Sequence, residues 1–197
     1  MFWEKGSKRV VYVKIAFDVD NVLADTMSRW CTKATEYLSS PIIKKDIKSH
    51  KIVGSVPLPP RIIFRLLDQV WYEWEDLPPI ESDLTEKIGI LRDNDFVICI
   101  ATSRPLRSIQ YVKQWLDKME ICYDEFYSLG PYKLKANTTI DALVDDAPDQ
   151  IRRFVHTGRI GFLYKQPWNK KAKIRKAIVI DSLDDILKYY KLTKRYQ

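Results

Sequence analysis

Several absences narrow the field before any motif is considered. No run of residues approaches the roughly 18 consecutive apolar positions that a membrane span requires. The charged stretch Met1 to Lys8 has no apolar signal core or cleavage pattern, so a soluble, cytoplasmic protein is expected. Cysteine is scarce: Cys31, Cys99 and Cys122 are odd in number and form no Cys-x2-Cys pair. That argues against a zinc site and a disulfide framework, and suits a reducing compartment. Neither His50 nor His156 lies in a Ser-His hydrolase motif, and both read as ordinary surface or cap residues. Cys99 and Arg104 are one position too close for the Cys-x5-Arg signature of cysteine phosphatases, and Cys99 falls inside an apolar run. Internal repeats and low-complexity tracts are also missing.

What remains is a chain of 197 residues, 46% hydrophobic and 30% charged, enough for one globular domain with a small insertion. The net charge of +7 is spread over several segments, including Lys44 to Lys51 and Lys170 to Lys176. It reads as solvated surface, leaving a nucleic-acid partner open, and a positive field also attracts small anionic substrates such as phosphate esters. A homodimer is neither indicated nor excluded.

Val10 to Phe17 is almost entirely apolar and β-branched, the pattern of a strand buried on both faces. Phe96 to Ala101, Ile140 to Val144 and Ile160 to Tyr164 read alike, with shorter strands at Ala177 to Ile180 and Phe126 to Leu129. Helical patterns alternate with them at Ser82 to Arg92, Leu106 to Met119, Pro148 to Val155 and Asp184 to Tyr190. The alternation predicts an α/β, doubly wound, mostly parallel Rossmann-like sheet. Between the first two strands there is room for a helix after Asp25 and another over Pro60 to Glu75, more than a βαβ crossover needs. Residues 27–80 therefore read as an inserted helical cap jointed by prolines, and residues 1–26 and 81–197 as the core.

Three strand ends run into polar clusters, where open α/β sheets bind their ligands. The first is Asp18-Val-Asp-Asn-Val-Leu-Ala-Asp25. Clustered carboxylates repel unless a cation or proton lies between them, so Asp18 and Asp20 suggest bound Mg2+ and a nucleophile paired with a proton-handling group. Asp25, before a helical pattern, reads as a helix cap. The second cluster, Thr102-Ser103-Arg104-Pro105, offers hydroxyls and backbone N–H groups to a phosphate, or a plain helix cap. The third is Asp145-Asp146, preceded by Lys133 and Lys135.

In this order the motifs resemble those of the haloacid dehalogenase superfamily. Asp18 to Asp25, Ala101-Thr-Ser103 and Leu143-Val-Asp-Asp-Ala-Pro148 resemble the 5'(3')-deoxyribonucleotidases in detail, as do the Gln166-Pro-Trp-Asn169 loop and the closing Ser182-Leu-Asp-Asp-Ile-Leu187 segment. Asn21 departs from the glycine usual in that family. The resemblance implies a magnesium-dependent phosphatase acting on nucleoside monophosphates through an aspartyl-phosphate. Asp18 would be its nucleophile, and Asp20 its acid and base. Thr102, Ser103 and Lys135 would hold phosphate. Asp18, the Asp20 backbone carbonyl and Asp146 would hold the metal, with Asp145 behind them orienting water or Lys135. Lys135 has the spacing to Asp145 that matches the family, and Lys133 remains the alternative. In the cap, Phe64, Leu67, Trp71 and Trp74 recur at helical spacing, either as a base-stacking wall or as a packing face. Trp71 is the substrate-binding candidate of that stripe, and Asn169 and Trp30 are further candidates for lining the pocket. Rival readings are a phosphatase of the same superfamily acting on phosphosugars or polynucleotide 3'-phosphates, and a non-catalytic nucleic-acid-binding module.

Overall fold

The computed structural model describes residues 12–131 and 133–194. Its sheet has six strands: β1 (Val13–Phe17), β2 (Phe96–Thr102), β3 (Glu125–Ser128), β4 (Ala142–Asp145), β5 (Ile160–Tyr164) and β6 (Ile178–Ile180). The spatial order is β3-β2-β1-β4-β5-β6, and each neighbouring pair is parallel. The expected strand from Val10 is described from Val13 onward; Val10, Val11 and the Met1 to Lys8 stretch lie outside the described residues. Helices α1 (Thr26–Leu38), α2 (Pro60–Tyr72) and α3 (Leu84–Asp93) separate β1 from β2. Helices α4 (Leu106–Lys118), α5 (Pro148–His156) and α6 (Asp184–Lys194) follow β2, β4 and β6. No helix among the described residues is long and apolar enough to cross a membrane.

Side chains alternate across the sheet as the strand period requires. Ile15, Phe17, Ile98, Ile100 and Val144 join one buried cluster, and Ala16, Cys99, Ala101 and Leu143 join the cluster beneath α5. Small residues on the second face let α5 approach closely. At Gly161 on β5 an added Cβ would lie 2.6 Å from the Val155 side chain, so that approach depends on glycine.

The register brings the polar clusters together. Phe17 pairs with Ile100 on one side and Val144 on the other, so Asp18, Thr102 and Asp145 emerge at one sheet edge. The chain order reverses at β1, the position where a crevice opens in doubly wound sheets.

The helical segment between β1 and α3 leaves and rejoins the core at one place. Asp25 N–H donates to Pro78 O at 2.9 Å and Ile80 N–H to Leu23 O at 2.7 Å. Its apolar residues are continuous with the core cluster, and three fully buried tryptophans lie along the join. A buried indole needs a partner for its N–H. Trp30 donates to Ile63 O at 3.2 Å, Trp115 to Leu77 O at 2.7 Å and Trp71 to Asp20 Oδ1 at 2.9 Å.

Asn21, which stands where glycine is usual in the resembled family, has φ +61°. Asparagine tolerates this left-handed conformation better than most residues. Its Oδ1 accepts from Met27 N–H at 2.8 Å and Thr26 Oγ1 at 3.1 Å, bonds a glycine could not make. Asp25 caps the same helix, accepting from Ser28 N–H at 3.3 Å.

Candidate active site

Asp18, Asp145 and Asp146 bring carboxylate oxygens within 4.8 Å of one another, and all three residues are buried. The Lys135 ammonium lies among them, 2.6 Å from Asp18 Oδ1 and 2.6 Å from Asp145 Oδ2. Lys133 is exposed on the neighbouring loop, so the structure puts Lys135 in the site. Burial pushes the Asp18 carboxyl up to about 7, outweighing the Lys135 charge that opposes it, and the Asp145 and Asp20 charges add to the rise. Burial and the same crowding drive Asp146 well above its ordinary value. Burial alone would lower Lys135, but Asp145 and Asp18 hold it above its usual range.

Three buried carboxylates around one ammonium leave an excess of negative charge, which a divalent cation with oxygen ligands would neutralise. Within the trio, Asp145 is already committed: Oδ2 is on Lys135 and Oδ1 accepts from Ala147 N–H at 2.8 Å. Asp18 and Asp146 are the better cation ligands. Asp146 is braced from behind, its Oδ2 accepting from Trp168 Nε1 at 3.0 Å and its backbone carbonyl from Asn169 Nδ2 at 2.9 Å.

The cluster forms the floor of a cavity of about 920 Å3, a size suited to a small organic ligand. Phe64 and Leu67 of α2 and Met27 of α1 contribute apolar wall. Lys51, Arg107 and Arg153 supply cations at the cavity surface.

Some expected site residues are placed differently. Trp71 is fully buried, and its indole N–H goes to Asp20, so it cannot stack a base; Phe64 and Leu67 of the same stripe face the cavity instead. Asn169 is also buried, its amide spent on Asp146 O, Tyr164 O and Gln166 N–H, which makes it a brace for the loop. Trp30 is sealed between α1 and α2. Thr102 lies beneath the cavity wall, its hydroxyl accepting from Arg104 N–H at 3.2 Å, whereas Ser103 lines the cavity and its Oγ has no hydrogen-bond partner. The Asp20 carboxylate stands apart from the acidic trio, held by Trp71 and by Arg104 Nη1 at 3.0 Å.

Two residues of the site carried no role in the sequence. Arg104 follows the Thr-Ser pair directly, which was the available signal. His50 lines the cavity and reaches Asp149 of α5 at 3.3 Å, a pairing that spacing alone could not reveal. Cys99 is poorly placed to act as a nucleophile: it is buried in β2, and burial pushes its thiol up to about 12.

A parallel sheet of order 3-2-1-4-5-6, with a carboxylate trio and a lysine at the carboxyl ends of β1 and β4, has the architecture of haloacid dehalogenase-like proteins. Solved structures with this fold include a haloacid dehalogenase-like family hydrolase from Streptococcus pneumoniae, at 14% identity and TM-score 0.62, covering 91% of this chain and 98% of that one. CbbY from Rhodobacter sphaeroides, solved in complex with phosphate, is 14% identical with TM-score 0.58, covering 89% and 96%. A predicted phosphoglycolate phosphatase from Haemophilus somnus is 13% identical with TM-score 0.59, covering 91% and 98%. At these identities the likeness establishes the fold alone. No curated protein sequence matches the chain. The profile of the family described as "5' nucleotidase, deoxy (Pyrimidine), cytosolic type C protein" matches residues 11–191, and the chain belongs to that family. It is accordingly a phosphoric monoester hydrolase of the nucleotidase kind.

Proposed function

We propose that this protein is a magnesium-dependent 5'(3')-deoxyribonucleotidase that works through an aspartyl-phosphate, with residues 27–80 as the cap that meets the leaving group. The observation that carries the reading is the Asp18 carboxylate, at the end of β1 on the cavity floor, paired with buried Lys135 and adjoining Asp146. An Asp18 oxygen attacks phosphorus, and the bond from phosphorus to the leaving alkoxide breaks as Asp20 gives that oxygen a proton. Asp20 then takes a proton from water, which attacks the same phosphorus and frees Asp18 and inorganic phosphate. Ser103 and the backbone N–H groups at the end of β2, with Thr102 beneath them, hold the phosphoryl oxygens, and Lys135 offsets their charge. Bound through Asp18, Asp146 and the Asp20 backbone carbonyl, Mg2+ would supply charge neutralisation at the transferring phosphoryl group. A cytoplasmic setting suits the family and the unpaired cysteines.

Phosphate release from ribo- and deoxyribonucleoside 5'- and 3'-monophosphates, phosphosugars and 3'-phosphorylated oligonucleotides, with Mg2+ or EDTA, tests this reading. Release confined to deoxynucleotides and dependent on Mg2+ is the expected result. Release confined to another ester would overturn the substrate assignment, and full activity in EDTA the metal assignment.

The charge of the floor has a consequence for stability. Because the folded-state value for Asp18 lies above the unfolded one, its contribution is complete below the ordinary aspartate range and is lost as pH rises through about 7. In EDTA the melting temperature should therefore fall between pH 6 and pH 8, and Mg2+ should raise it more at pH 8 than at pH 6. A metal-free melting temperature that rises over that interval would contradict the assignment.

A further inference from the structure

Arg104 joins the acid–base carboxylate to the cap, and the reaction as described leaves it without a task. Its side chain is only 9% exposed, and each of its three guanidinium nitrogens is engaged. Nη1 donates to Asp20 Oδ1 at 3.0 Å and Oδ2 at 3.3 Å. Nη2 reaches Leu67 O at 3.4 Å and Asp68 Oδ1 at 3.8 Å, and Nε donates to Ser108 Oγ at 3.2 Å. The guanidinium carbon lies 5.4 Å from the centre of the Trp71 ring. Asp68 also receives Arg107 at 2.7 Å, so one cap carboxylate ties two core arginines.

These contacts place Asp20 under the control of α2. Its Oδ1 accepts from both Trp71 Nε1, at 2.9 Å, and Arg104, whereas Oδ2 has only the longer Arg104 contact. Oδ2 is thus the oxygen left to exchange a proton. Phe64, Leu67, Asp68 and Trp71 are spaced i, i+3, i+4 and i+7, so they share one helical face. The first two face the cavity where a leaving group would lie. The last two hold Asp20 directly or through Arg104. The helix that meets the leaving group therefore also sets the group that protonates it.

Building on the phosphatase reading, we infer that Arg104 is a positioning residue that fixes Asp20 for protonation of the leaving group and couples it to the seating of the cap helix α2. An alternative, Arg104 as a phosphate ligand, would require the guanidinium to abandon Asp20, Leu67 O and Ser108 together.

The two roles differ in how they depend on the leaving group. An alkoxide needs a proton as it departs, whereas p-nitrophenolate leaves without one. The parameter kcat/KM covers the steps through leaving-group departure and excludes the later hydrolysis of the aspartyl-phosphate. It should be measured for the preferred nucleoside monophosphate and for p-nitrophenyl phosphate in wild type, Arg104→Met, Arg104→Lys and Trp71→Phe, with thermal melts to establish folding. Arg104→Met should lose about 100-fold on the nucleotide and no more than about threefold on p-nitrophenyl phosphate. Arg104→Lys should recover only part of the loss, because an ammonium lacks the planar fork that spans Asp20 and Leu67 O. Trp71→Phe, which removes one donor and keeps the ring, should show the same selectivity to a smaller degree.

Equal losses on both substrates, or none, would overturn the inference. Should Arg104→Met not fold, an unchanged substrate ratio in Trp71→Phe would overturn it by itself. If wild type accepts p-nitrophenyl phosphate and no nucleotide, the substrate assignment fails, and a simple alkyl phosphate in its place still tests Arg104. Inactivity toward every ester would remove the phosphatase reading and this inference together.

Discussion

Asp18→Asn should abolish turnover, lowering kcat by about 10⁴-fold or more, while the protein remains folded. The amide occupies nearly the same volume but cannot attack phosphorus. Stability should not suffer. Asp18 is a buried carboxylate crowded by Asp145 and Asp146, so replacing it removes repulsion, and Lys135 keeps Asp145 as a partner at 2.6 Å. In EDTA at pH 8 the variant should melt no lower than wild type. Single-turnover assays beside thermal melts would establish both points, and a variant turning over at the wild-type rate would refute the nucleophile assignment.

Lys135→Met should cost both activity and stability. The ammonium is 2% exposed and holds two buried carboxylates, and deleting it leaves Asp18 and Asp145 buried without a counter-charge. Breaking a buried pair in this way costs about 3–5 kcal/mol. The loss should shrink as pH falls, because burial already favours the neutral form of Asp18, and protonation removes the unpaired charge. Lys133→Ala, on the exposed loop, should stay within about 0.5 kcal/mol of wild type. Guanidinium titrations at pH 6 and pH 8 in EDTA would separate the two lysines, and a larger effect at Lys133 would overturn their assignment.

Asp18 and the Asp145-Asp146 pair were legible because each ends an apolar run, and a buried strand that stops at carboxylates signals its edge of the sheet. Choosing between Lys133 and Lys135 needed the fold, since a loop between strands does not preserve the alternation that tells facing residues from exposed ones. The aromatic stripe of α2 was legible as a face but not as a function. Helical spacing groups Phe64, Leu67 and Trp71 without saying which of them open onto the cavity, and only packing against Trp115, at 6.3 Å between ring centres, placed Trp71 beneath it. Arg104 had no periodic signal at all, and its partners Leu67 and Asp20 lie 37 and 84 positions away.

By itself the sequence determined the α/β class, the order of the strands' polar ends and the chemical types gathered there, because hydrophobic periodicity and strand termination are local properties of a chain. Tertiary structure alone decided which lysine enters the acidic trio, which residues of α2 face the cavity and which side chains hold Asp20. Those outcomes depend on distances between segments remote in sequence, and such distances are set by sheet register and helix packing rather than by any local preference.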